Sequence, residues 1–240
     1  MTGAERLRAQ LEGDRLIVAP GAHDCISGRL IAQAGFDALY MSGAGTAAML
    51  GYPDYGLATM TEFADNAGRL VEATALPVIA DADTGFGNEL NAVRTVREYE
   101  SRGVAGIQLE DQAFPKKCGH LDGKQLVDAD DFLDKIRAAH AARRHPAFVI
   151  IARTDARSVL GVEAAVERAN LALQAGADVA FVEAFHVFEG PAALVEVDAP
   201  DLQQRRPHLD IQRIGDGGLG ERGADGLLTE LEFEPLGAQQ

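Results

Sequence analysis

The chain is expected to fold as an α/β protein, a (β/α)8 barrel of the TIM type whose last one or two units are atypical or incomplete. Three observations predict this. Six short runs rich in Val and Ile recur along residues 1–186, each apolar on both faces, as strands of a buried parallel sheet are. Amphipathic stretches of helical period separate them. Polar residues gather at the C-terminal ends of the runs, which in a barrel share one rim. An open doubly wound sheet is the competing architecture.

In chain order, the expected strands are LIVAP (16–20), ALYMSG (38–43), LPVIADAD (76–83), GIQLED (106–111), FVIIARTDA (148–156) and VAFVEAF (179–185). Between them, ELNAVRTVREYESRG, DADDFLDKIRAAHAARRH and VEAAVERANLALQAGA carry apolar residues at helical spacing. The glycines of AGF, RGVAG and AGAD stand just before a strand, where a helix commonly ends in a left-handed residue. Residues 1–186 thus make barrel units one to six and carry the active-site rim, and 187–240 form an atypical, irregular C-terminal segment. Two further units need roughly 60 residues at ordinary spacing. The segment is dense in glycine, and LDIQRI is its only plausible strand.

Composition narrows the function. With 47% hydrophobic residues and a mean hydropathy of −0.07, the chain reads as an ordinary water-soluble protein. It contains no apolar run of the ~20 residues a membrane span needs. The start, MTGAERLRAQLEGDR, lacks the apolar stretch of a signal peptide. A cytoplasmic location is expected, where the two cysteines, Cys25 and Cys118, stay reduced. A net charge of −15 argues against nucleic acid, whose phosphates need clustered Lys and Arg. It also means that an anionic substrate requires a local cation, either a metal or buried arginines.

The strand ends carry His23 and Asp24, then Ser42 to Gly45, Asp81 and Asp83, Glu110 and Asp111, Arg153 to Asp155, and Glu183. Loops after strands are polar in any case, but acids inside successive apolar runs point to a site. Asp81 and Asp83 stand at i and i+2 and face the same way. Two carboxylates in one space repel unless a cation lies between them, and hard oxygen donors favour Mg²⁺ or Mn²⁺ over zinc. Asp54, in GYPDYG, and Glu110 could join through bridging water. The competing role for one acid of the pair is to cap a helix or bind loop amides.

Cys118 follows Lys116 and Lys117 and precedes His120, and nearby cations favour a thiolate. It is a candidate nucleophile or proton carrier; Cys25, in HDCISGRL, reads as a packing residue. Gly43 and Gly45 in MSGAG allow close backbone approach, so their amides could hold a carboxylate. Arg153 follows FVIIA and should point into the mouth to grip a carboxylate with two bonds. A structural salt bridge with one of the acids is its competing role.

Taken in order, YMSGAGTAA, GYPDYGLATMTE, DADTGFGN, EDQAFPKKCGH, ARTDA and FVEA resemble the isocitrate lyase/phosphoenolpyruvate mutase superfamily, from Val18 to Glu183. The resemblance implies a (β/α)8 barrel that binds Mg²⁺ and a small 2-oxo or 2-hydroxy acid, as a homo-oligomer with exchanged C-terminal helices if that segment folds. It makes Asp81 and Asp83 the metal acids, with Asp54 and Glu110 as water-mediated partners. Ser42, Gly43 and Ala44 match an amide-lined carboxylate site, where Ala44 replaces a glycine common in the family. Arg153 and Glu183 match substrate-contacting positions.

KKCGH, which includes Gly119 and His120, matches the mobile gating loop of the lyase branch, whose cysteine is the acid in carbon–carbon cleavage. A Mg-dependent lyase acting on a 2-hydroxy di- or tricarboxylic acid, of the 2-methylisocitrate or alkylmalate type, is the expected function. Tyr40 or a bound water would remove the hydroxyl proton and Cys118 would protonate the departing fragment. The alternatives are P–C chemistry of the carboxyphosphonoenolpyruvate phosphonomutase type, or an inactive relative that binds metal and carboxylate.

Overall fold

The computed structural model describes residues 1–119 and 121–183 of the 240. Within them the chain runs α1 (Gly3–Leu11), β1 (Gly21–Ala22), α2 (Cys25–Gln33), β2 (Leu39–Met41), α3 (Gly43–Met49), α4 (Met60–Thr74), β3 (Val78–Asp81), α5 (Glu89–Ser101), β4 (Gly106–Glu110), α6 (Ala129–Ala142), β5 (Val149–Thr154), α7 (Ala156–Leu160), α8 (Val162–Gln174) and β6 (Val179–Val182). The strands pair in parallel and in chain order from β1 to β6. A doubly wound sheet reverses its order at a switch point; the described strands do not. Theirs is the order of a barrel wall, each strand joined to the next by a helical crossover. The expected boundary at 186 and the segment 187–240, with LDIQRI, lie outside the described residues. Among the described residues, no helix is long and apolar enough to cross a membrane.

Local chemistry sets the element ends. Thr2 with Glu5 and Thr59 with Glu62 form reciprocal capping boxes at α1 and α4, satisfying amides a helix start leaves unpaired. Gly35, Gly103 and Gly176 each stand one residue past a helix cap with φ of 84°, 76° and 112°, the left-handed stop expected of them. The first strand differs from expectation. Pairing does not run through 16–20 but begins at Gly21, opposite Tyr40. Pro20 has no N–H to give a ladder, and Leu16 and Val18 remain 58% and 50% exposed.

Side chains alternate across a strand, and that alternation places the site. Val78 and Ala80, Ile107 and Leu109, and Ile150 and Ala152 belong to the main core with Phe63, Leu70, Tyr99, Phe132 and Ile136 from the helices. Ile79, Val149, Ile151 and Val179 belong to a second cluster, closed by Leu7 and Leu11 of α1. Each fully buried aliphatic or aromatic side chain contributes about 1.5–3 kcal/mol of transfer free energy. Below the strands, Asp178 receives Arg8 Nη1 at 2.7 Å, Arg143 Nη1 at 2.8 Å and the Ile150 amide at 2.8 Å. On the inner face, the same parity carried toward the C-terminal ends reaches Tyr40, Asp81, Gln108, Glu110 and Arg153. Register then sets the neighbours: Asp81 lies opposite Gln108, and Glu110 opposite Arg153.

Candidate active site

Asp81, at the end of β3, is buried and already holds two backbone amides. Its Oδ1 accepts from Asp83 N at 2.9 Å and its Oδ2 from Gly43 N at 3.2 Å. A Cβ on Gly43 would lie 2.5 Å from Asp81 Oδ2, so only glycine allows this approach. Asp83 follows with φ of 45°, a left-handed conformation that costs a non-glycine residue strain of order 1–3 kcal/mol. Its carboxyl is pushed up to about 7 by burial and by Asp81, against the pull of Lys116.

Lys116 is the cation of this cluster. Its side chain is 4% exposed; Nζ hydrogen-bonds Asp54 Oδ1 and lies 2.8 Å from Asp83 Oδ1. The approach to Asp83 is off the hydrogen-bonding direction, so Asp83 Oδ1 is buried without a donor. Burial works against the ammonium, but Asp83, Asp81, Glu110 and Asp54 outweigh it and hold Lys116 charged. Glu110 is 2% exposed with Oε1 unpartnered, and burial raises its carboxyl well above the usual range. Tyr40 accepts Gln108 Nε2 at 3.0 Å; burial first, then Asp81, keep its phenol protonated. That environment suits a hydrogen-bond donor.

Arg153 organises the other half of the mouth. It grips Asp155 with two bonds, Nε to Oδ2 at 3.0 Å and Nη2 to Oδ1 at 3.2 Å. It also lies 3.6 Å from both Glu110 and Glu183, with Phe181 5.9 Å away beneath the guanidinium. Burial opposes its charge, but Glu110, Asp155 and Glu183 outweigh that and hold it protonated. The structural salt bridge weighed against a substrate role for Arg153 is therefore present.

The loop carrying Cys118 is seated on this network. Gln112 holds Lys117 in both directions, donating to its carbonyl at 2.9 Å and accepting from its amide at 3.0 Å. Gly119 rests on the arginine pair: a Cβ there would be 2.4 Å from Arg153 Nη2 and 2.6 Å from Glu183 Oε1. Buried Lys124 donates to the Gly119 carbonyl and reaches Asp155 Oδ1 at 3.0 Å. The loop is thus tied to the acid that orients Arg153.

The expected site residues Tyr40, Asp54, Asp81, Asp83, Glu110, Arg153 and Glu183 form one connected rim, with half-buried Cys118 on the loop above. His120 lies outside the described residues. Lys116 pairs with Asp54 and Asp83, and Lys117 Nζ donates to the Asp122 carbonyl at 3.3 Å. Of the amides expected to face a carboxylate, Gly43 N is held by Asp81 and Gly45 N by Ser42 Oγ at 3.1 Å. Asp111 faces away from the mouth and binds Thr154 Oγ1, Asp155 N and Arg168 of α8. Asp155, expected only as one of the polar strand ends, is the acid that orients Arg153, and Gln108, Gln112 and Lys124 join the site unannounced. For Gln108, strand parity with Glu110 is the available signal.

Among the described residues no three acids converge as a ready set of metal ligands. The donors nevertheless fit a small hard cation. Asp54, Asp81, Asp83, Glu110, Asp155 and Glu183 are six carboxylates around the three cations Lys116, Lys124 and Arg153. Asp83 Oδ1 and Glu110 Oε1 lack hydrogen-bond donors, and the place between Asp54 and Asp83 is one a cation already fills.

The family profile described as phosphoenolpyruvate phosphomutase matches residues 7–197. A 2,3-dimethylmalate lyase of Eubacterium barkeri is 52% identical over 238 residues, 99% of this chain and 78% of that protein. A 2-methylisocitrate lyase of Halalkalibacterium halodurans is 44% identical over 221 residues, 92% of this chain and 73% of its own. A crystal structure of phosphonopyruvate hydrolase in complex with oxalate and Mg²⁺ superposes with a TM-score of 0.71 at 37% identity. That match covers 76% of this chain and 63%, less than two thirds, of the solved one.

Proposed function

The chain belongs to the phosphoenolpyruvate mutase/isocitrate lyase superfamily, and from that premise we propose that it is a divalent-metal-dependent carbon–carbon lyase acting on a small 2-hydroxy dicarboxylate of the alkylmalate type. One observation carries the reading. Six carboxylates and three cations share a buried mouth, and the loop bearing Cys118 is seated on it through Gly119 and Lys124.

Asp83 and Asp81, with Asp54 and Glu110 through water, are the residues that would hold Mg²⁺ or Mn²⁺. When bound, such an ion would polarise the substrate's oxygens. Arg153, kept charged and oriented by Asp155, would pair with a substrate carboxylate by turning toward it N–H groups that now face Glu110 and Glu183. Tyr40 would donate a hydrogen bond to a substrate oxygen. The hydroxyl proton would leave to a buried carboxylate, for which Glu110, with an unpartnered oxygen, is placed.

The C–C bond would then break as the hydroxyl-bearing carbon becomes a carbonyl, and its electron pair would pass to the neighbouring carbon as an enolate. Cys118 Sγ–H would deliver a proton to that carbon, releasing a monocarboxylate and a 2-oxo acid. The seated loop would exclude water from the carbanion. The cytoplasm suits two cysteines that are not joined in a disulfide, and a homo-oligomer is the expected assembly.

The test is a product assay with Mg²⁺ on 2,3-dimethylmalate, 2-methylisocitrate, oxaloacetate and phosphonopyruvate. Pyruvate from 2,3-dimethylmalate, at a kcat/KM at least tenfold above the other three, is the expected result. Turnover of phosphonopyruvate alone would move the chain to P–C chemistry, and turnover of none would leave a metal- and carboxylate-binding protein.

A further inference from the structure

The position of Lys116 has a consequence for how the site is loaded. Its ammonium lies between Asp54 and Asp83, 4% exposed, against one of the two carboxylates that the proposed reading gives to a divalent cation and one that it reaches through water. A divalent cation and an ammonium held against the same carboxylate at such distances repel each other and compete for its oxygens. Lys116 also stands two residues from Cys118, on a loop that Gln112 pins at Lys117 and Lys124 pins at Gly119.

We infer that Lys116 is a built-in competitor for the metal: it neutralises the acid cluster of the metal-free protein, and a divalent cation binds by expelling it from between Asp54 and Asp83. The inference rests on the proposed metal site. Its content is that metal occupancy and the position of the Cys118 loop are linked. By reciprocity, whatever holds Lys116 in the cluster weakens the metal, and the metal loosens the lysine's hold on the loop. The pins at Lys117 and Gly119 do not involve Asp54 or Asp83, so the loop keeps its outer anchors while its inner one is exchanged. A spare ammonium is thereby released into the mouth only when metal is present, next to where an anionic substrate would enter.

Two measurements test this without relying on turnover. In the unmodified full chain, acylation of lysine amines by a small reagent is followed residue by residue by mass spectrometry. Without metal, Lys116 should react at least tenfold more slowly than Lys117; saturating Mn²⁺ should speed Lys116 at least fivefold and leave Lys117 unchanged. Separately, Lys116→Met, which keeps the length of the stem and removes the charge, should bind Mn²⁺ at least tenfold more tightly, read from the loss of the free-Mn²⁺ electron-spin resonance signal. Should that variant fold poorly, the labelling of the unmodified chain still decides the question. If Mn²⁺ binds with equal affinity to both proteins and Lys116 stays shielded in its presence, the metal site stands and the competition is overturned. If Mn²⁺ binds neither protein, the metal site itself falls and the inference with it.

Discussion

The floor and the rim of this sheet handle buried charge in opposite ways. At the floor, one carboxylate, Asp178, is shared between two arginines and an amide, with contacts of 2.7–2.8 Å on both oxygens. At the rim, four carboxylates crowd one ammonium, two of their oxygens have no donor, and Asp83 sits at a φ of 45°. The floor is arranged as a protein arranges charge for stability. The rim keeps strain and crowded acids that packing alone would remove, and the proposed metal and substrate would draw on both.

The sharpest way to break this comparison is to neutralise one acid in each region. Asp83→Asn keeps the shape and tolerates the left-handed backbone. It should lose Mn²⁺ affinity by at least a hundredfold in calorimetry and cut turnover by three or more orders of magnitude, yet leave the metal-free protein as stable or more so. The pH dependence gives the sign. Asp83 titrates near 7 when folded and near the ordinary 3.8 when unfolded, so the folded state binds more protons between those values. Stability of the metal-free protein should therefore fall as pH rises from about 4 to 7, and that part of the slope should vanish in Asp83→Asn. A slope unchanged in the variant would show that the rim stores no such charge. Asp178→Ala should do the reverse. Leaving two partly buried arginines unpaired should cost about 2–4 kcal/mol in denaturant unfolding, with Mn²⁺ affinity intact.

Much of this division was legible in the sequence, and the reason is periodicity. A two-residue alternation carries Asp81, Glu110 and Arg153 inward, but the strand expected through residue 83 stops at Asp81, and Asp83 reaches the same space from a left-handed turn that parity does not place. Five of the six strands overlap the apolar runs, and the three glycines end their helices as expected. What was not legible depends on contacts between distant segments. Nothing in KKCGH says that Lys116 crosses to Asp54, which lies 62 residues earlier in the chain. Lys124 was passed over because a lysine in LDGK reads as solvated, yet Asp155 and the Gly119 carbonyl bury it. Parity should have removed Asp111 from the site, since it neighbours Glu110 and must face the helices. The first strand was misplaced because an apolar run ending in proline resembles a strand until its hydrogen bonds are counted.

A finer probe of the rim is Gly119→Ala. The new methyl would meet Arg153 and Glu183 well inside van der Waals distance, lifting the Cys118 loop off its seat. Turnover should fall about tenfold to a hundredfold, as a misplacement of about 1 Å does, and the melting temperature should stay within a few degrees. Full activity would mean that the loop does not act from this position. At the small end, Arg15→Ala removes an ion pair with Asp37 in which both side chains are more than half exposed. It should change stability by less than about 0.5 kcal/mol and turnover not at all, which sets the scale against which the other effects count.

The central claim is that the rim cleaves a carbon–carbon bond with Cys118 as the proton donor. The most direct measurement is single-turnover formation of pyruvate from 2,3-dimethylmalate by Cys118→Ser with Mg²⁺, alongside calorimetric binding of oxalate to the same protein. A hydroxyl matches the thiol in size but is a far weaker acid, so the chemical step should suffer while ground-state binding does not. The account predicts oxalate affinity within threefold of the unmodified protein and pyruvate formation slower by at least three orders of magnitude. Near-normal cleavage by the serine variant would contradict it.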